Sequence, residues 1–156
     1  MDNLIGVIPN ELLVLIISMI PVIELRGAIP IAMGLGMSWW KAFTLSVIGN
    51  LIPVPFIVVF LKPLFKFFRK SKFFVGVVDW LEQRTRKKAD TVEKYSAIAL
   101  FAFVAIPLPG TGAWTGAMIA AILGLRIKHA VPAITVGVLT AGAVVTAVSF
   151  LGYQLF

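Results

Sequence analysis

Two charges stand inside an otherwise apolar stretch. In Ile23-Glu24-Leu25-Arg26-Gly27 a carboxylate and a guanidinium lie two residues apart, with no other charge between Glu11 and Lys41. Ionisable side chains in hydrocarbon are costly, so they face a partner, a cavity or a pathway. Residues two apart diverge on a regular helix, so both reach one pocket only where the backbone turns. The pair either closes a turn or handles a substrate charge or a proton. A second break, Pro107-Leu108-Pro109-Gly110-Thr111-Gly112, carries no charge. Its glycines permit unusual backbone angles and its prolines stop a helix. Thr111 is placed to cap a helix beginning near Ala113, and the unpaired N–H groups of such a start favour an anion. The plain alternative is a tight turn. Asn50 is a lone amide in the run 42–61, just before Pro53 and Pro55. It either bonds carbonyls that those prolines release or lines a path.

Other chemistry is poorly provided for. The chain has no cysteine, and His129 is its one histidine. A thiolate site, a disulfide framework and a catalytic nucleophile–base–orienter set are therefore not expected. Nor is an enzyme, a metal or any cofactor. With 60% hydrophobic and 13% charged residues, the chain has too few polar groups to cover a globule in water, where about 25% charged is usual. A soluble enzyme, a nucleic-acid-binding domain and a disordered chain are excluded. An integral membrane protein remains. No basic residue precedes Arg26, so no cleavable signal peptide is expected.

The elements that must position these residues follow from the uncharged runs 12–23, 27–40, 42–61, 95–125 and 130–156. A spanning helix needs about 20 apolar residues. Runs 42–61 and 130–156 each fit one span. The limbs 11–23 and 95–106 make helices only roughly 18–20 Å long, against a hydrocarbon core of about 30 Å. They either turn back as re-entrant hairpins or continue as broken spans. Charge discriminates. The segment 62–94 holds ten basic and four acidic residues, the mark of a cytoplasmic loop. If 95–125 turns back, Arg126 and Lys128 join that side. If it crosses, they land opposite. The hairpin reading obeys the positive-inside rule better. Trp39 and Trp40, beside Lys41, then anchor the outer interface. Phe65, Phe67, Phe68, Phe73, Phe74 and Trp80 interleave with the basic residues, as in a helix lying on anionic lipid.

Gly27-Ala28-Ile-Pro-Ile-Ala32-Met33 and Gly112-Ala113-Trp-Thr-Gly-Ala117-Met118 share the pattern GAxxxAM. Each copy follows a broken limb and precedes a span. The expected fold is an all-α integral membrane protein of one domain with two inverted-topology repeats, 11–61 and 95–156. Each repeat is a re-entrant helical hairpin followed by one transmembrane helix. The basic amphipathic segment 62–94 joins them. Transporters commonly use this plan, with sites at the midplane formed by broken helices. Small residues recur every four positions at Gly112, Gly116, Ala120 and Gly124, and at Ala28, Ala32 and Gly36. Such stripes let helices approach closely.

At Glu24-Leu-Arg26-Gly27-Ala28-Ile-Pro30 and Pro107-Leu-Pro109-Gly110-Thr-Gly112-Ala113-Trp114, the chain resembles the small multidrug export protein family over roughly residues 11–150. That family is similar in plan to the DedA superfamily, some of whose members are implicated in moving lipids between leaflets. The resemblance implies a multi-pass inner-membrane transporter. DedA-type members usually carry more charge at both tips, whereas the second tip here lacks an arginine unless Arg126 serves. The expected activity is secondary transport: export or leaflet transfer of an amphipathic, anionic solute or lipid, coupled to protons or cations, in a homodimer. The candidate binding residues are Glu24, Arg26, Gly27, Asn50, Pro109, Gly110, Thr111 and Gly112. A proton-coupled antiporter of cationic drugs, with Glu24 exchanging, is the second reading. A membrane factor that recruits partners through 62–94 is the third.

Overall fold

A computed structural model of the chain describes residues 8–68, 89–108 and 110–155. Every regular element among them is an α-helix: α1 Asn10–Met19, α2 Glu24–Gly34, α3 Trp39–Leu51, α4 Pro53–Phe68, α5 Ala89–Ala105, α6 Ala113–Ile122 and α7 Ile127–Leu155. Most of the basic cluster, residues 69–88, lies outside the described residues, and with it the expected interfacial helix.

Among the described residues, two helices are long and apolar enough to cross a membrane. Residues 39–61, which run through α3 into α4, form one of 23 residues, and α7 forms one of 29. At 1.5 Å per residue these reach about 35 Å and about 43 Å, beyond a hydrocarbon core of about 30 Å. The first is interrupted at Ile52, a turn between α3 and α4. Pro53 and Pro55 lack the N–H groups that would bond Gly49 and Leu51. By contrast α1, α2 and α6 have 10, 11 and 10 residues, about 15 Å each. None crosses the hydrocarbon alone.

The second short helix of each pair stops by the same device. At the end of α2, Met37 N–H bonds Ala32 O at 3.1 Å and Gly36 N–H bonds Met33 O at 3.0 Å, with Gly36 at φ +81°. At the end of α6, Leu125 N–H bonds Ala120 O at 2.9 Å and Gly124 N–H bonds Ala121 O at 3.2 Å, with Gly124 at φ +68°. Both are Schellman endings, in which a left-handed glycine lets the last carbonyls find donors. Both feed a long helix within three residues.

Packing ties these pieces together. α1 and α2 pack against each other and against α3, while α5 and α6 pack against each other and against α7. α2 also lies on α7, and α6 on α4. Close approach rests on small residues. A Cβ at Gly49 of α3 would strike Ser18 and the Leu15 carbonyl of α1. One at Gly137 of α7 would meet Val104 Cβ of α5 at 2.8 Å. Gly116 has Val104, Leu100 and Ile134 around it, so the expected stripe on α6 serves helix packing. The main core gathers Leu25, Ile29, Val54, Val58, Val104, Ile134 and Val138. Outside it Phe60, Val148 and Trp40 are 68%, 65% and 62% exposed, an apolar exterior that suits lipid and not water.

At one end, Lys41 Nζ stands 2.6 Å from Glu11 Oε1. The bond from Lys41, with its charge, holds the Glu11 carboxyl below the usual carboxylate range. The pair is exposed, so it orients the starts of α1 and α3 more than it stabilises them.

Candidate functional site

The two breaks meet. Glu24 opens α2 at φ +50°, the one non-glycine residue with positive φ among those described. The left-handed region costs a residue with a Cβ about 1–2 kcal/mol. That backbone places the carboxylate at the start of α6, where Trp114 N–H donates to Glu24 Oε1 at 3.3 Å. Gly112 is the residue before α6, and any Cβ there would overlap the Glu24 carboxyl group. A carboxylate at a helix N-terminus is favoured by the free N–H groups and by the helix dipole. Glu24 therefore caps a helix that begins 89 residues further along the chain.

Arg26 makes the complementary contact. Its guanidinium donates to the carbonyls of Leu108 and Thr111. It also donates to Ile106 O at 3.4 Å and to Thr111 Oγ1 at 3.1 Å. These acceptors lie in the loop between α5 and α6, and only Ile106 adjoins the end of α5. One short helix thus sends its acid to the positive end of α6 and its base into the carbonyls of the loop that precedes α6. Among the described residues the two charges do not form an ion pair with each other. Trp114 adds a third tie, its indole N–H donating to Met19 O, the last carbonyl of α1, at 3.0 Å.

Asn50 enters from α3. It is 1% exposed, and neither its amide oxygen nor its nitrogen has a partner. It lines a narrow void with Glu24, Arg26 and Gly112, walled by Val104, Val138 and Ala141. The space is narrower than a water molecule. Arg26 Nε is likewise buried without a partner.

Of the expected residues, Glu24, Arg26, Asn50 and Gly112 line this void, and Thr111 joins them through Arg26. Their roles differ in part from the expected ones. Thr111 does not cap α6; Gly112 precedes that helix and no side chain of its own strand of chain caps it. The Thr111 hydroxyl turns back to Ile106 O at 2.6 Å and shapes the loop that holds Arg26. Gly27 faces away from the void: a Cβ would meet the Ile23 side chain one turn earlier, so its smallness serves local packing. Gly110 lies in the exposed turn at φ +83°, where glycine is required for conformation. Pro109 lies outside the described residues. Asn50 bonds none of the carbonyls that Pro53 and Pro55 release. Trp114 was not among the expected residues, yet its backbone and its ring both reach the first tip. Its place in the second GAxxxAM copy, aligned with Ile29, carried no polar signal.

A separate apolar groove of about 650 Å³ lies between α5 and α7, lined by Ile98, Phe101, Pro132 and Val136 and edged by Arg126 and Lys128. Arg126 therefore does not supply the arginine missing from the second tip. Among the described residues no three His, Asp or Glu side chains gather as a metal site would need.

The family model described as "Putative small multi-drug export protein" matches residues 24–144, a stretch that begins at Glu24 and takes in both tips. No curated protein and no solved structure matches the chain.

Proposed function

We propose, from the premise that the chain belongs to the small multi-drug export protein family, that it is a proton-coupled transporter of an amphipathic anion, a lipid or a solute with an anionic head. In this reading the protein sits in the inner membrane, with two re-entrant hairpins entering from opposite faces and two spans. Reciprocal packing supports the inverted repeat. α1 lies on α3 as α5 lies on α7, and α2 lies on α7 as α6 lies on α4. Gly49 and Gly137 admit the first limbs at matching places, and the Schellman endings at Gly36 and Gly124 correspond. Two hairpins and two spans make a thin wall around a path, so the working unit is a homodimer.

The single observation that carries the mechanism is the seating of the Glu24 carboxylate at the start of α6, against Gly112 and Trp114 N–H. This is the seat that the anionic head of a substrate would take. Protonation of Glu24 removes its charge, weakens its hold and leaves Arg26 to attract an anion. A proton and an anion then occupy the centre together. The proton, which arrives from the outer face, leaves inward as the anion leaves outward. The proton gradient and the inside-negative potential, about 2.3 kcal/mol per charge per 100 mV, both drive this exchange. Loss of the proton returns Glu24 to its seat and expels the anion.

Reconstituted vesicles with a fluorescent anionic phospholipid in one leaflet test this. Transfer by the native chain rises as pH falls from 8 to 5. Glu24→Gln, neutral at every pH, gives transfer that no longer depends on pH and stays near the native low-pH rate. A second reading, exchange of a lipophilic cation for a proton on Glu24, is favoured by the way loop carbonyls already occupy Arg26. It predicts the reverse: Glu24→Gln abolishes cation efflux, Arg26→Ala spares it, and no anion moves.

A further inference from the structure

Three polar side chains on the two spans are deeply buried and without protein partners: Ser46 at 0%, Asn50 at 1% and Thr146 at 7% exposure. They are not scattered. Ser46 and Asn50 are one turn apart on α3 and share a face, and Asn50 of that face looks into the void at Glu24. Thr146 lies two turns before Tyr153 on α7, on the same stripe, and Tyr153 Oη donates to Pro30 O of α2 at 3.1 Å. α3 and α7 both lie on α2, and Asn50 and Tyr153 reach its start and its second half. The unpaired groups run from Glu24, at the start of α2, toward its far end, where Glu11, Lys41 and Tyr153 stand. Hydrocarbon offers no hydrogen-bond partner, and a buried amide or hydroxyl is not left unpaired without cost. Water is the small partner that can both donate and accept at such sites.

We propose that the seam of α2 with α3 and α7 carries a file of water from the face bearing Trp39 and Lys41 to the Glu24 carboxylate, and that protons reach Glu24 along it. Thr146, Ser46 and Asn50 are its rungs. The proton enters from bulk water, passes between water molecules and ends on a Glu24 carboxyl oxygen; the rungs orient water and do not titrate. The charged and titratable groups beside this route, among the described residues, are Arg26 and Glu24 at its inner end and Tyr153, Lys41 and Glu11 at its outer end. The void at Asn50 is closed to water in this conformation, so the file completes itself when the two tips part. The route rests on the role proposed above for Glu24 but is tested without transport.

The chain has no native cysteine, so single thiols report cleanly. Ser46→Cys, Thr146→Cys and Asn50→Cys are made in the full chain, with Val47→Cys as a buried neighbour off the route. Silver ion, close to water in size, is applied from one face of reconstituted vesicles. Thiols that it reached are then counted by their protection from maleimide after denaturation. Reaction from the Lys41 face at 46 and 146 about tenfold or more faster than at 47, with 50 slower than both, is the expected result. Equal, slow reaction at all four positions overturns the file, and so does faster reaction from the opposite face. If the file fails while Glu24→Gln still removes the pH dependence of transfer, only the route is wrong. If the thiols react as expected while Glu24→Gln leaves pH dependence intact, the file stands and the role of Glu24 falls.

Discussion

Arg26→Ala is expected to abolish transport and to cost about 3–5 kcal/mol of stability. The guanidinium supplies the donors for the carbonyls of Leu108 and Thr111 and reaches those of Ile106. Hydrogen bonds from a charged group contribute about 1.5–3 kcal/mol each. Removing it also leaves Glu24, 5% exposed, as a buried charge with no opposite charge near it, and breaking such an arrangement is more damaging than never building it. For a chain of this size the loss corresponds to a fall in melting temperature on the order of 10 °C, read from tryptophan fluorescence on heating. Arg26→Lys separates charge from geometry. Its single ammonium keeps the charge but cannot span acceptors on both sides of the loop, so it restores less than half of the lost stability. If both variants melt with the native protein, the guanidinium does not hold the second tip.

Gly112→Ala is expected to uncouple transport from pH. The methyl group falls on the Glu24 carboxyl, so the acid must leave Trp114 N–H or the two tips must separate. The backbone of residue 112, at φ −130°, is open to any residue, which makes the clash and not conformational strain the cause. Losing the cap costs about 1–2 kcal/mol. In the Gly112→Ala background, Glu24→Ala should then add little. The two residues form one contact, and coupled positions do not add. Gly110→Ala is the contrast. A Cβ there meets nothing, but φ +83° is strained for it. It should cost about 1 kcal/mol and leave pH dependence intact. Melting curves and the anionic-lipid transfer rate across pH measure all four variants. Additive effects of Gly112→Ala and Glu24→Ala would show that they do not touch.

The residues of this contact were legible in the sequence, but their pairing was not. Glu24 and Arg26 announce themselves because charges inside apolar runs are rare, and Pro107–Gly112 because it breaks a run too long for one helix. Proximity of the two tips follows from the shared GAxxxAM pattern and from the lengths of the limbs. The direction of each side chain does not. Two residues apart on a helix, Glu24 and Arg26 diverge, and the groups they meet have opposite polarity: N–H at the start of α6 for the acid, loop carbonyls between α5 and α6 for the base. Composition carries no trace of which end faces which charge. Thr111 looked like a cap because its type and spacing suited one, yet a carboxylate from another helix took that position and the hydroxyl turned to its own loop. Trp114 was invisible as a site residue, since a tryptophan in an apolar run reads as packing or lipid contact. The spans themselves were found within about three residues, because length and hydropathy alone set them.

Oxidation of the Glu24→Cys, Gly112→Cys double variant tests the meeting of the two tips most directly. A disulfide needs Cβ atoms roughly 3.8 Å apart, and a Cβ at 112 falls on the Glu24 carboxyl, two bonds beyond the Cβ of residue 24 and so close to that reach. With no native thiol in the chain, a mild oxidant should close one intramolecular bond. That bond lowers the intact mass by two hydrogens, blocks maleimide at both positions, stops transfer and yields to reductant with recovery of activity. If both thiols remain open to maleimide under the same oxidation, the tips do not meet, and the exchange of a carboxylate for a substrate's anionic head has no seat.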